Sequence, residues 1–518
     1  MSNLNNYDIA FIGSGIATSF TLLNLIDRLE SVEKSKPLKI ALIEKNSDFH
    51  AGIPYGNRST VTCLLITSLV DFLPQPELDE FILWLNKNKE WLLEEFKKEG
   101  GTLSSEWLKK HKDQLDANEW NDLFIPRRFF GWYISEKVNQ RLEDAVKNGH
   151  LEIDTINSLV FDIKKQDKSY EIIGDDLAIT TKKVVLGIGS LPPRIIEQDI
   201  HSSADDDLLV VSDPYGIGLD KTLQNIEEFL NKRGEKDANV LIIGANASAL
   251  EMLYKLNDER NLENKIQKFA FLSTLGMIPD SKISEEGLRT FKPINLLSLK
   301  EKKELTAKQI ADATYNDLDN AEQKGIGAAT TVKIISNAFG DLLDYLSKKE
   351  LENFACQYGN DIGRRQRCAG QHYTGTIKML KGNKRFEHIK GRYSGLVKKG
   401  NGEFHLKYLS TSTKNEEEYK DNVNILINCI GSMNLESDDI PTLHKNLITS
   451  GLCRSNDSKI GFAVNQDFET AKNFHVAGPL LAGNVIQGKA LWHLEHCGRI
   501  IWSSKVLSQT LSDYFYAN

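Results

Sequence analysis

Hydrophobic positions fall into short unbroken runs separated by stretches of helical periodicity, and the same order of elements occurs twice. Residues 7–12 (YDIAFI) read as a buried parallel strand closed by Gly13-Ser14-Gly15. Leu22, Leu23, Ile26 and Leu29 then recur at helical spacing, KSKP ends that helix, and LKIALIE (38–44) is the next strand, finishing on Glu44. In the second half, ANVLIIG supplies the strand, residues 244–249 the turn, ALEMLYKL the helix and KFAFLST the next strand.

From about 151 to 190, HLEIDTINSLVFDI, SYEII, LAITT and KKVVLGIGS predict an antiparallel meander followed by one very apolar strand. RFEHIKGRYSGLVKK, EFHLKYLS and NVNILINCIGS repeat that order, and both closing strands end in Ile-Gly-Ser. Gly13 to Gly189 spans 176 residues and Gly244 to Gly431 spans 187, so two independent landmarks support a long internal repeat. Residues 75–148 and 297–358 interrupt it with helical patterns, the second of them polar, and Thr306 with Gln309 resembles a capping box. Charged runs such as KEKKE read as solvated helix faces.

A chain of 518 residues exceeds one ordinary domain. With 40% hydrophobic and 26% charged residues it is globular, and a net charge of −8 gives no basic field to recruit nucleic acid. The cysteines Cys63, Cys356, Cys368, Cys429, Cys453 and Cys497 form no CxxC pair, which points to a reducing compartment and argues against a dithiol redox centre. A strand beginning near residue 7 leaves no room for a signal peptide, and no apolar run approaches the roughly 18 residues that span a membrane. The expectation is a soluble, cytoplasmic protein with a small-molecule substrate, no membrane or nucleic-acid partner, and room for a homo-oligomer.

The glycine turns carry the chemistry. A helix N-terminus presents unpaired N–H groups and partial positive charge, a natural partner for a pyrophosphate. In such turns the first glycine makes the bend, the second admits the phosphates, and the third position sets helix–strand packing. Gly13 and Gly15 fit; Thr18 at the third position predicts slightly looser packing. Glu44 is placed to accept from ribose hydroxyls. In the second copy Gly244 and Ala249 fit but Asn246 replaces the middle glycine. Asn tolerates left-handed backbone and so can hold the turn, while its side chain would crowd a pyrophosphate. The next strand ends on Ser273-Thr274, with neither an acid for a 2′-hydroxyl nor an arginine for a 2′-phosphate. Arg364, Arg365 and Arg367 could approach a phosphate from elsewhere or be ordinary surface residues.

Two such units, each with a meander, resemble the FAD- and NAD(P)H-dependent flavoproteins, and the missing CxxC favours their flavin monooxygenase-like branch. GIGSLPPR (187–194) resembles the motif where the chain crosses between domains, and GANASALE resembles the second dinucleotide turn, with Ser248 and Ala249 matching. HAGIPYG, DFLPQPELDEFILWL, FIPRRFFGWYISEKV and FHVAGPLLAGN (474–484) resemble segments of a FAD–NAD(P)-binding family. The resemblance implies an α/β fold of two Rossmann-like, glutathione-reductase-like dinucleotide-binding domains, each with an antiparallel meander, plus helical insertions. The FAD-binding domain would take 1–200 and 433–518 (insertion about 75–148), and the NAD(P)-binding-like domain 201–432 (insertion about 297–358).

On that analogy Gly13, Ser14, Gly15, Ile16, Ala17, Thr18, Glu44 and Lys45 hold the ADP half of FAD. Tyr55 and Arg127 lie near the flavin cleft, Gly189 sits at the crossing, and Gly478, Pro479 and Leu480 border the ribityl chain. Gly244, Asn246, Ser248, Ala249 and Ser273 would receive NAD(P)H. Three residues depart from the pattern: Pro479 replaces a usual aspartate, Ile66 an asparagine and Thr274 an arginine. No metal is expected, although His493 and His496 in WHLEHCGR are spaced to share a helix face. If the helix after Gly483 points at the flavin, its N–H groups could stabilise negative charge near the ring. His372 and Tyr373 are further substrate-pocket candidates. The favoured activity is NAD(P)H-dependent FAD monooxygenation of a small molecule at N, C or S. A FAD dehydrogenase or oxidase without nicotinamide, and a flavin-binding interaction or regulatory protein, stay open.

Overall fold

The computed structural model describes residues 6–31, 36–196, 207–234, 238–262, 264–400 and 402–516. The first unit contains β1 (Asn6–Ile12), β2 (Leu38–Glu44), β3 (Leu151–Asn157), β4 (Val160–Lys165), β5 (Tyr170–Gly174) and β6 (Leu177–Leu186). β6, β1, β2 and β3 lie side by side and parallel, with Ile12 opposite both Ile43 and Leu186. Both faces are covered, which is why β1 reads as an unbroken apolar run: Ile9, Ala10 and Phe11 are fully buried. The helix Ile16–Glu30 and the insertion helix Arg127–Lys147 pack on this unit.

The predicted meander is corrected in two places. HLEIDTIN forms β3, a parallel edge strand beside β2, because its partner lies more than a hundred residues upstream, where local alternation gives no signal. The meander is β4-β5-β6, and LAITT joins KKVVL in one strand.

The second unit contains β7 (Leu209–Val211), β8 (Ala238–Ile243), β9 (Ile266–Ser273), β10 (Phe386–Lys398), β11 (Phe404–Ser410), β12 (Glu416–Glu418) and β13 (Ile425–Asn428). The order is β7-β13-β8-β9-β10 in parallel, continued antiparallel through β11 and β12.

The repeat extends to individual hydrogen bonds. Gly13 N donates to Ile43 O (2.8 Å) and Gly187 N to Ile12 O (2.8 Å). Gly244 N donates likewise to Leu272 O (2.9 Å) and Cys429 N to Ile243 O (2.8 Å).

The second insertion is helical but has its own apolar core. Phe291, Leu296, Ile310, Ile335, Phe339 and Phe354 form it, so the polar reading of 297–358 described only its outer face. Its helices continue beyond 358 to Gly382. The capping box is present: Thr306 Oγ1 accepts from Gln309 N, and Gln309 Oε1 accepts from Thr306 N.

The chain then returns to the first sheet through β14 (Glu469–Ala471) and β15 (Phe474–Val476), the latter parallel to β6. A turn at Gly478–Leu481 leads to the hairpin β16 (Asn484–Ile486) and β17 (Lys489–Leu491), and the helix Cys497–Tyr516 follows. Val485 and Trp492 join the core of the second insertion. Among the described residues no helix is long and apolar enough to cross a membrane.

Candidate functional site

The first turn owes its shape to Gly13, whose φ of +88° favours glycine and whose missing Cβ leaves room for the Gly187 carbonyl. Gly15 follows as the extended N-cap of the helix Ile16–Glu30, with no side chain capping the first N–H groups. Those groups are left available to an anion.

Thr18 does not loosen the packing as expected. It is fully buried, and its Oγ1 donates to Gly13 O at 2.7 Å. A Cβ on Gly187 would collide with that hydroxyl, so the glycine just after β6 makes room for the threonine.

Glu44 reaches the turn from the end of β2. Its Oε2 accepts from Ser14 N at 2.9 Å, and Lys45 beside it is exposed. The HAGIPYG segment brings Gly52, with φ +64°, against Gly15. Tyr55 then packs on Phe72 and Phe130, and its hydroxyl lies 3.5 Å from Cys497 Sγ. Burial, with the Cys497 thiol beside it, pushes the Tyr55 phenol well above its usual pKa. A Cβ on Gly131 would strike the Tyr55 carbonyl, which accounts for the glycine in FFGWY.

The C-terminal return reaches the same helix end. Gly478 has φ +74°, and a Cβ there would stand 3.2 Å from Ala17 Cβ. Ala477 N donates to Leu186 O (2.9 Å), which seats the buried turn containing Pro479 and Leu480 beside β6. Ile16 and Ala17 are thus enclosed between the Gly478 turn and the Cys497–Tyr516 helix, whose Ser504 Oγ donates to Ala17 O. Gly189 has φ +79° where the chain leaves β6, and just beyond it Met433 N donates to Pro192 O (2.9 Å). The two crossing segments therefore run side by side.

Arg127 is engaged away from the turn. Its Nη2 lies 2.7 Å from Glu251 Oε1 and its Nε donates to Ser59 Oγ at 2.9 Å. Burial is the largest single influence and works against this charge, but Glu251, Cys63, Tyr215 and Tyr373 together hold the guanidinium above its ordinary pKa.

In the second turn, Gly244 has φ +116° and leaves room for the Cys429 carbonyl as Gly13 does for Gly187. Asn246 is not left-handed: φ is −99° and ψ −167°, the extended N-cap conformation that Gly15 also takes. The positive φ belongs to the first glycine of each turn, so at this position the second turn differs from the first by the Asn246 side chain and not by its backbone. Ser248 is half-buried and Ala249 fully buried against the sheet. Ser273 Oγ lies 2.7 Å from His388 Nε2 and accepts from Gly276 N. Arg365 is paired with Asp319.

His493 and His496 do not share a helix face, because the helix begins at Cys497, after the β16–β17 hairpin and a loop. His496 instead caps that helix: its Nδ1 accepts from Gly498 N (3.2 Å) and its Nε2 donates to Asp71 O (3.0 Å). No group of His, Cys, Asp and Glu able to hold a metal occurs among the described residues. The His372 ring packs on Phe124, Tyr254 and Tyr373, and burial lowers its pKa to about 3. The Tyr373 hydroxyl donates to Leu64 O (2.9 Å) and lies 3.3 Å from Glu251 Oε2. Sequence reasoning passed over Glu251 and Tyr215; a glutamate in a periodic helix reads as a solvent-facing residue.

Comparison with known proteins agrees with this geometry. A family model described as FAD-NAD(P)-binding matches residues 10–191. A protein of Mycobacterium tuberculosis described as uncharacterized is 29% identical over 512 residues, covering 98% of this chain and 95% of its own. Among solved structures, the reduced form of the ornithine hydroxylase of Pseudomonas aeruginosa has a TM-score of 0.56 at 14% identity, covering 98% of this chain and 99% of its own. An ornithine N-hydroxylase of Kutzneria, solved with reduced FAD, NADP+ and L-ornithine, has a TM-score of 0.51 at 12% identity, covering 98% of this chain and all of its own. Residues 10–191 thus match a FAD-NAD(P)-binding model, in a chain whose fold is similar to that of these two hydroxylases.

Proposed function

We propose that the protein is an NAD(P)H-dependent FAD monooxygenase that hydroxylates a small molecule, with nitrogen as the preferred atom. One observation carries this reading. Segments from residues 13–18, 44, 52–55 and 478–480 converge on a single uncapped helix N-terminus, and a second turn of the same backbone geometry stands in the other unit. The fold of the ornithine hydroxylases supports nitrogen over carbon or sulfur.

In this reading Gly13, Ser14, Gly15, Ile16, Ala17 and Thr18 seat the FAD pyrophosphate, and Glu44 accepts from the adenosine ribose with Lys45 beside it. Gly189 and Gly478–Leu480 line the ribityl chain. Tyr55, kept protonated by burial, offers a neutral hydrogen-bond donor near the N-terminus of the Cys497–Tyr516 helix. Gly244, Asn246, Ser248, Ala249 and Ser273 receive the nicotinamide dinucleotide. The chemistry supplied by bound flavin is hydride acceptance and oxygen activation. The test is NADPH oxidation in air with L-ornithine and other small primary amines, with detection of the hydroxylamine. Amine-dependent product supports the proposal; bound FAD without product from any amine contradicts nitrogen as the target.

Asn246 favours one alternative, a FAD dehydrogenase or oxidase that takes no nicotinamide. Bleaching of the flavin by a substrate, but by neither NADPH nor NADH, is its signature.

A further inference from the structure

The helix Ala247–Asp258, which begins at the second turn, carries Glu251, Lys255 and Asp258 at a spacing that places them on one face. A face of this kind normally meets water, yet these residues are 2%, 1% and 0% exposed. Each has a partner in the first unit. Glu251 pairs with Arg127 at 2.7 Å, the Tyr215 hydroxyl donates to it at 2.5 Å, and the Tyr373 hydroxyl lies 3.3 Å away. Lys255 Nζ donates to Thr62 Oγ1 and lies 2.5 Å from Glu259. Asp258 accepts from Ser104 N (2.8 Å) and Ser104 Oγ (2.6 Å), and the approach is so close that a Cβ on Gly101 would strike the Asp258 carbonyl.

The first copy has no such clasp. Counted from the turn glycine, Phe20 takes the place of Glu251 and is 3% exposed. Buried charges along the helix that follows the turn are therefore a feature of the second unit. Rotating that unit about the crossing segments would unpair several buried charged groups at once, which is strongly unfavourable. At 1.5 Å of rise per residue, Glu251 stands about 7.5 Å along the helix from Asn246. Asp258 secures the opposite end, so both the position and the axis of the helix are set.

We propose that Glu251 is a positioning residue: it holds the N-terminus of this helix, and a nicotinamide dinucleotide seated there, in one fixed orientation toward the first nucleotide fold, so that hydride transfer needs no domain rotation. This rests on the nicotinamide reading above, and the test separates the two.

The experiment uses the full FAD-loaded chain and Glu251→Gln, with hydrogen exchange and anaerobic flavin bleaching by NADPH. In Glu251→Gln, protection of residues 247–258 and 59–65 falls about tenfold while other regions keep theirs. The bleaching rate at saturating NADPH falls about tenfold, with a much smaller change in the NADPH concentration at half-saturation. Small-angle scattering of the wild type is the same with and without NADPH. Unchanged protection, an unchanged saturating rate, or a scattering change on adding NADPH each overturns the proposal. If Glu251→Gln does not fold, Tyr215→Phe removes one donor to Glu251 and is read by the same criteria. A wild type bleached by neither NADPH nor NADH refutes the nicotinamide reading, and the exchange data then decide the clasp by themselves.

Discussion

Gly15 and Gly52 face each other with no side chain between them: a Cβ on Gly52 would stand 3.3 Å from Gly15 Cα. The second glycine of the turn and the HAGIPYG segment are therefore a fitted pair. Gly52 also has φ +64°, where a Cβ costs about 1–2 kcal/mol. Gly52→Ala is expected to lower FAD affinity about tenfold or more, the equivalent of 1.4 kcal/mol, in a protein that still folds. Titration of the apoprotein with FAD checks this; unchanged affinity would detach HAGIPYG from the site.

Arg127 and Glu251 form a buried pair, and removing one member strands the other charge. Arg127→Ala is expected to cost about 3–5 kcal/mol of stability, and Glu251→Ala a similar amount. The double substitution should cost clearly less than the sum, because neither charge is then left alone. Urea denaturation of the three variants measures this, and additive losses would show that the pair is not coupled.

Asn246 differs from Gly15 only by its side chain, since both take the extended N-cap conformation. Asn246→Gly should therefore leave stability within a few tenths of a kcal/mol, as Gly and Asn are both accepted at this position. It should tighten NADPH binding several-fold by admitting the pyrophosphate, with FAD binding unchanged. The half-saturating NADPH concentration for flavin bleaching is the readout; a weaker or unaltered value means that the Asn side chain does not crowd the ligand.

His475 is fully buried, and its pKa is lowered from 6.5 to about 3 by burial and then by Lys183. Lys183 Nζ donates to its Nε2 at 3.2 Å, and its Nδ1 donates to Asp467 O at 2.9 Å, so the folded ring is neutral. The unfolded chain takes up a proton near pH 6.5 that the folded chain refuses. Stability from this residue is thus fully present above pH 6.5 and is lost progressively as pH falls from there toward about 3. His475→Gln should flatten the fall of the denaturation midpoint across that window. An equally steep fall in the variant would assign the acid sensitivity to other groups.

The parts of the fold legible in the sequence are those whose causes are local. Gly13, Gly15 and Glu44 lie within one strand–turn–helix–strand unit, and the matching Ile-Gly-Ser strand ends revealed the repeat later seen in paired hydrogen bonds. The edge strand Leu151–Asn157 was misread because its pairing with Leu38–Glu44 is long-range. The tolerance of Asn for left-handed backbone is not used at Asn246, because the positive φ of this turn falls on Gly244. His493 and His496 kept their helical spacing on paper, but the intervening hairpin delays the helix to Cys497. Glu251, Lys255 and Asp258 carried no sign of burial, since a periodic charged face looks the same whether it meets water or a second unit.

The central claim is that this chain holds FAD at the Gly13–Thr18 turn and reduces it with a nicotinamide. The most direct measurement is the visible spectrum of the protein, purified under mild conditions and supplied with FAD, before and after anaerobic NADPH or NADH. The account predicts a flavin spectrum that bleaches on adding the nicotinamide. A colourless protein that takes up no FAD would contradict it, as would a flavin that neither nucleotide bleaches.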